Sequence, residues 1–371
     1  MAKANTARLV ASAIAATLLL SACATAPALT GEETDASDSR GMTIGVGTPV
    51  LAVAETVAVG TANADAADDP AIWVDRADPG RAILFGTDKK AGLYTYRLDG
   101  TVLQNLDGGM PNNVDLREGF MVDGRPHLLV ATSDRSPGRF GIALFLTDQQ
   151  TLQTRFWGVI PSDLTEPYGL CVGRYGSDFV VIVNGTDGQV RQVAITVGPD
   201  GAPVGTERKR YALSSQTEGC VIDDTTGLVY IGEEAKGIWR FSLDPAYTHR
   251  LHLATAPSPE LAPDVEGLAM IRDAGRTFLL ASSQGDSAFA IWRVDGPDAQ
   301  YAGRFSVVSG NGIDAVTGTD GITATEGPIG PYAQGLIMVQ DDVDELPGRT
   351  GERQNFKLVD WTAIKTALGI D

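Results

Sequence analysis

A short apolar run closing on a polar cluster recurs six times along this chain: Ile83–Asp88, Leu128–Asp134, Val180–Asp187, Val229–Glu233, Phe278–Asp286 and Leu336–Asp341. The closing acids lie 46, 53, 46, 53 and 55 residues apart. A second series precedes each run: Asp69-Pro-Ala-Ile, Val114-Asp115-Leu, Tyr168-Gly-Leu, Glu218-Gly-Cys, Glu266-Gly-Leu and Asp320-Gly-Ile, with key residues 46, 53, 50, 48 and 54 apart. Six units of about 50 residues result. Within them, Leu93–Leu98, Ile142–Leu146, Ile238–Phe241 and Phe289–Val294 are β-branched and aromatic runs bounded by Gly, Asp or Pro, which read as strands. Helical signals are almost absent before Trp361–Leu368. Units of this length with four short strands predict an all-β, six-bladed β-propeller, since radial stacking buries every blade face. A β-solenoid is the second reading.

The formal charge is −18 in 371 residues, so nucleic acid and anionic membrane surfaces are poor partners. With 43% hydrophobic and 20% charged residues, the chain can still bury a full core. Residues 1–22 read as an export signal: Lys3 and Arg8 form a positive segment ahead of an apolar stretch, Leu9–Leu20, too short to span a bilayer. Leu20-Ser21-Ala22-Cys23 resembles a bacterial lipobox, which implies that Cys23 becomes a lipidated N-terminus. Ala24, rather than aspartate, points to the outer membrane, with the protein facing the periplasm or cell surface. The expected organisation is a signal (1–22), a flexible tether (23–45) and the propeller (46–371), monomeric and touching membrane through the Cys23 lipid alone. Cys171 and Cys220 could pair in an oxidising periplasm, but nothing in the sequence brings them together, and the first reading is two small buried apolar residues.

The second series places an acid or tyrosine, usually before Gly or Pro, at the start of each presumed inner strand, where six turns can converge on one end of the axis. Asp68, Asp69, Asp115, Glu218, Glu233, Glu234, Asp264, Glu266, Asp320, Asp341 and Asp342 all fall in the two series. That many carboxylates need compensation, and a hard cation with six to eight oxygen ligands, calcium above all, supplies it. Zinc is disfavoured because His127, His249 and His252 lie outside both series. Lys89, Lys90 and Arg135 follow the first two apolar runs directly and suit a phosphate grip.

Eleven motifs in register then resemble the β-propeller phytases: Asp68–Trp73, Thr87–Lys90, Asn112–Asp115, Ser133–Ser136, Glu166–Gly169, Ser215–Gly219, Gly232–Trp239, Pro263–Gly267, Ala281–Gly285, Thr319–Ile322 and Gln354–Lys357. The resemblance covers about residues 50–362. It implies calcium-dependent hydrolysis of phytate, or of its calcium complex, with several calcium ions held by Glu55, Asp68, Asp69, Glu218, Glu234, Asp264, Glu266, Gln284 and Asp320. It implies phosphate contacts from Lys89, Arg135 and Tyr168, to which the cation run adds Lys90, and the residues permit a catalytic role for Glu218, Glu234, Tyr168 and Asp68 around a metal-activated water. One position departs: Thr186 stands where the family has a lysine, and Arg191 is the neighbour that could replace the lost contact. A calcium-dependent propeller lactonase and a non-catalytic calcium-stabilised binding propeller remain open readings.

Overall fold

The computed structural model describes residues 1, 46–62, 65–345 and 353–370. The signal, the tether and Cys23 lie outside these residues. Six antiparallel sheets follow one another along the chain, each with its first strand innermost. Blade 1 comprises Ala67–Val74, Ala82–Asp88, Gly92–Tyr96 and Val102–Leu106, and blade 2 comprises Pro111–Val122, Arg125–Asp134, Gly141–Asp148 and Thr154–Pro161. Blade 3 runs Pro167–Tyr175, Asp178–Gly185, Gln189–Val197 and Pro203–Ala212; blade 4 runs Thr217–Asp223, Leu228–Glu233, Gly237–Ser242 and Leu251–Thr255. Blade 5 holds Val265–Asp273, Arg276–Ser283, Ala288–Arg293 and Gln300–Val308, with Thr48–Leu51 added in parallel at its rim. Blade 6 holds Ile322–Glu326, Gly335–Asp341 and Asn355–Asp360, and Ala54–Glu55 completes it as the outer strand. The innermost strands touch in a closed cycle from blade 1 to blade 6 and back. The six-bladed propeller expected from the repeat is the observed fold.

The core is divided between neighbouring blades. Leu129, Ala131 and Leu144 of blade 2 pack against Leu170, Val181 and Val183 of blade 3, and a comparable cluster fills every other junction. Second strands are therefore apolar on both faces and read as unbroken runs, the signal that exposed the repeat. Among the described residues one α-helix, Trp361–Leu368, begins at Asp360, whose carboxylate accepts Thr362 N. It lays Trp361 and Ile364 on the junction of blades 5 and 6.

Cys171 and Cys220 form a disulfide, with Cα atoms 5.5 Å apart. This overturns the expectation of two buried thiols. The cysteines sit on adjacent inner strands, a proximity that sequence separation does not reveal. Glycine makes this approach possible nearby: a Cβ at Gly169 would fall 1.8 Å from Glu218 O, and one at Gly219 would fall 1.9 Å from Glu266 O.

Candidate functional site

The start of five of the six inner strands carries the same irregularity. Pairing with the second strand skips the two residues after Ala67, Pro111, Pro167, Thr217 and Val265, so these strands bulge at one shared height. The skipped pairs are Asp68-Asp69, Asn112-Asn113, Tyr168-Gly169, Glu218-Gly219 and Glu266-Gly267, and Asp320-Gly321 stands in the same place before Ile322. Neighbouring pairs are joined by backbone: Gly267 N donates to Asp320 O at 3.1 Å and Gly321 N to Asp68 O at 3.0 Å. Asn184 Nδ2 donates to Glu218 O at 2.8 Å, while its Oδ1 accepts Gly169 N at 2.9 Å. In blade 2 the position belongs to Asn112, not to Asp115, where the repeat spacing puts it. Asp115 lies further down the strand, where it accepts Val172 N at 2.8 Å and pairs with Arg117 at 3.3 Å. A bulge leaves no trace in hydrophobic spacing, which is why the register slipped there.

A second set of six follows the ends of the second strands: Lys89, Arg135, Thr186, Glu234, Gln284 and Asp342. The two sets interdigitate. Lys89 is 2% exposed; its ammonium lies 2.9 Å from Asp68 Oδ2 and 3.4 Å from Asp320 Oδ2, and it also contacts Asp65. Gln284 Nε2 donates to Asp320 Oδ1 at 2.6 Å, and Asn112 Nδ2 donates to Glu218 Oε1 at 2.6 Å. Carboxylate oxygens of Glu218, Glu234 and Glu266 all lie within 4.8 Å of one another. Asp69 accepts Val114 N at 2.9 Å, and Asp264 joins through its carbonyl, which accepts Gln284 N at 3.1 Å. Arg135 stands over the Tyr168 ring at 5.2 Å and is 3.7 Å from Glu166. Lys90 is exposed beside Lys89.

Two sequence-predicted residues fall elsewhere. Glu55 lies on the closing strand of blade 6 in a separate cluster with Asp314 and Asp344, whose carboxylates come within 4.8 Å of one another. Fully buried Lys357 adjoins this cluster, pairing with Asp314 at 2.6 Å and also with Asp341. Arg191 is 6% exposed and committed to Asp163 at 2.8 Å and Glu207 at 3.8 Å, in a groove between blades 2 and 3.

Burial pushes the Asp68, Asp69 and Glu266 carboxyls well above the usual carboxylate range, and neighbouring acids add to the shift. Lys89 opposes it at Asp68. Burial works against the charge on Lys89 itself, but Asp68, Asp320 and Asp65 outweigh it and raise its pKa. At Asp341, burial lifts the carboxyl to about 7 against the pull of Lys357. The axial acids are thus short of positive charge.

The phytase family model matches residues 7–371. The chain belongs to the phytase family. It is 34% identical over 314 residues to the 3-phytase of Bacillus subtilis (strain 168), covering 82% of each chain. Among solved structures, a lectin of Aleuria aurantia in complex with a fucosylated sugar gives a TM-score of 0.49 at 12% identity, over 66% of this chain and 81% of the lectin. A second structure of that lectin gives 0.49 at 10% identity, over 66% and 80%. Within this phytase the two interdigitated sets are polarised: the second set reads Lys89, Arg135 and Thr186 in blades 1–3, then Glu234, Gln284 and Asp342 in blades 4–6. One side of the axis offers donors to an anion, and the other offers oxygen ligands to a cation.

Lys89 is buried among three acids. Its loss would leave Asp68 and Asp320 uncompensated, which typically costs about 3–5 kcal/mol. Lys89→Met should therefore lower the stability of chelator-treated protein by that order in urea denaturation. Lys90→Met, at the surface, should stay within about 0.5 kcal/mol of the wild type.

Proposed function

We propose that this phytase hydrolyses phytate, myo-inositol hexakisphosphate, to lower inositol phosphates and inorganic phosphate, with calcium held at the axial carboxylates. Family membership and the 34% identical 3-phytase support the reaction and the substrate class. The observation that carries it on this chain is the polarised ring, in which Lys89 adjoins Asp68 and Asp320, Arg135 stands over Tyr168, and Glu218, Glu234 and Glu266 bring their carboxylates together.

The residues fit calcium. Asp68 Oδ1 and Gln284 Oε1 are buried acceptors that no hydrogen-bond donor reaches among the described residues. Every candidate donor is a carboxylate or amide oxygen, which suits a hard cation over a transition metal. His252 sits on the outer strand of blade 4 and His249 in the loop before it, while His127 lies near the start of the second strand of blade 2, seven residues before the end that leads to Arg135. Asp68, Asp69, Glu218, Glu234, Asp264, Glu266, Gln284 and Asp320 would hold the axial ions, and Glu55, Asp314 and Asp344 a further one at the closing blade. Bound there, calcium supplies positive charge that neutralises the phosphoryl oxygens and acidifies a water. Arg135, braced over Tyr168, binds a phosphoryl oxygen through its planar fork, and Lys89 adds a point charge. Glu218, Glu234 and Asp68 orient the attacking water in line, and Tyr168 donates its hydroxyl to the phosphoryl group. A new P–O bond forms to the water oxygen as the inositol P–O bond breaks, and the proton shed by the attacking water ends on the leaving inositol oxygen. No covalent nucleophile takes part.

Export and anchoring complete the reading: the signal at 1–22 and Cys23 would place the enzyme outside the cytoplasm on the outer membrane. The Cys171–Cys220 disulfide is in keeping with an oxidising compartment.

Exhaustive dialysis against EGTA should abolish phosphate release and lower the melting temperature by several degrees, since the carboxylates repel once the cations leave. Unchanged melting and turnover would sink the calcium assignment. Thr186→Lys should lower the KM for phytate at matched calcium, because a charge-assisted contact contributes about 1.5–3 kcal/mol. The shift should be smaller for a monophosphorylated inositol; a raised KM for phytate would show that the loop serves another contact. In cells, Cys23→Ser should move the protein from the membrane fraction to the soluble one, and retention in the membrane fraction would refute lipid anchoring.

A further inference from the structure

Four of the six second strands end in an acid: Asp88, Asp134, Glu233 and Asp341. All four are fully buried. None is among the carboxylates that converge within 4.8 Å at the axis or at the closing blade. Each instead accepts a hydrogen bond from the backbone segment leading into its own blade's inner strand. The donors are Thr61 N to Asp88 at 3.0 Å, Met110 N to Asp134 at 3.4 Å, Ser214 N to Glu233 at 3.0 Å and Thr317 N to Asp341 at 2.9 Å. The residue that follows each acid is a member of the second set around the axis: Lys89, Arg135, Glu234 and Asp342. One side chain therefore ties the approach of the first set to the exit of the second.

Glu233 carries the densest version of this tie. Besides Ser214 N it accepts Ser214 Oγ at 2.5 Å, Ser215 Oγ at 2.8 Å and Trp239 Nε1 at 2.7 Å, and Lys236 Nζ lies 3.5 Å away. Burial alone would raise its pKa, but the donors hold it at about 2, so it keeps its charge. The bonded segment, 214–216, delivers Glu218, and Glu234 N closes the joint by donating to Gln216 O at 3.2 Å. Glu218 and Glu234 are like charges that repel, so their spacing has to be imposed from outside the pair.

We infer that Glu233 is a positioning residue that fixes Glu218 and Glu234 at ligand spacing without itself touching substrate or cation. Asp134 does the same for Arg135 on the anion side. Because partners behind a metal site typically influence affinity by about 10–100-fold, Glu233→Gln should weaken calcium binding at least about tenfold. The calcium needed for half-maximal phosphate release should rise by the same factor. The KM for phytate at saturating calcium should stay within about twofold of wild type. Glu233→Asp, which keeps the charge but is one methylene short, should fall between. Asp134→Asn should show the opposite split, with a raised KM and unchanged calcium binding.

Calorimetric titration of chelator-stripped wild type and variants with calcium, beside phytate kinetics and melting curves, tests this. Wild-type calcium affinity in folded Glu233→Gln overturns the positioning role, and so does a KM rise as large as the loss of calcium affinity, which marks general loosening. If Glu233→Gln does not fold, the Ser214→Ala, Ser215→Ala pair removes donors from the other side, and unchanged calcium affinity there overturns the role equally. The inference rests on the calcium reading. No calcium uptake by the wild type would overturn both, whereas equal uptake by wild type and variants would overturn this one alone.

Discussion

Six strands can meet around one axis only where their side chains leave room, and the glycines of the bulged pairs provide that room. Gly169 and Gly219 abut the carbonyls of Glu218 and Glu266 so closely that any side chain would collide. Strands this near to one another bring their bulged residues into a space a few ångströms across. When four of six positions are acidic, electrostatic self-repulsion is built into the fold. The rest of the axial chemistry answers that repulsion. Asn112 and Gln284 donate to carboxylates, Lys89 is drawn into the core, and buried acceptors such as Asp68 Oδ1 and Gln284 Oε1 face no hydrogen-bond donor among the described residues.

Pseudo-symmetry then becomes an advantage. Each blade offers the same two positions, at its bulge and after its second strand, so function is written by which residue fills each position. Blades 4–6 supply Glu218, Glu234, Glu266, Gln284 and Asp320, and blades 1–3 supply Lys89, Arg135 and Tyr168. Blade 1 does both, since Asp68 and Asp69 share it with Lys89. That overlap makes Lys89 the hinge between the two halves, bound to acids from both edges of the ring.

Repeat spacing disclosed the architecture because second strands are buried on both faces and stay apolar whatever the blade does chemically. It disclosed most of the axial residues because the acid-Gly pairs recur with it. It failed at Asp115, where a valine-aspartate pair mimicked the repeat three residues below the true bulge at Asn112. The family resemblance named Glu55 as a ligand without saying which acids it joins, and only the assembled fold sets it beside Asp314 and Asp344. Cys171 and Cys220 posed the same difficulty: 49 residues apart in sequence, they become neighbours only when adjacent blades are assembled. Burial was the other hidden quantity. A lysine following a strand reads as solvated, and three acids had to be placed around Lys89 before its burial made sense.

The ring is joined at a seam remote from the middle of the sequence. Ala54 pairs with Leu358, and Thr48 with Phe305, so blades 1–4 draw all their strands from contiguous stretches while blades 5 and 6 each borrow one from the N-terminus. A growing chain can therefore complete four sheets as it emerges, but its first strands must wait for partners made last. Bringing residues some 300 positions apart together carries a loop-closure cost that local sheets avoid, and it sets closure late in the folding order. Until that moment the axis is an open arc rather than a ring, and the acids of blade 6 do not yet face those of blade 1.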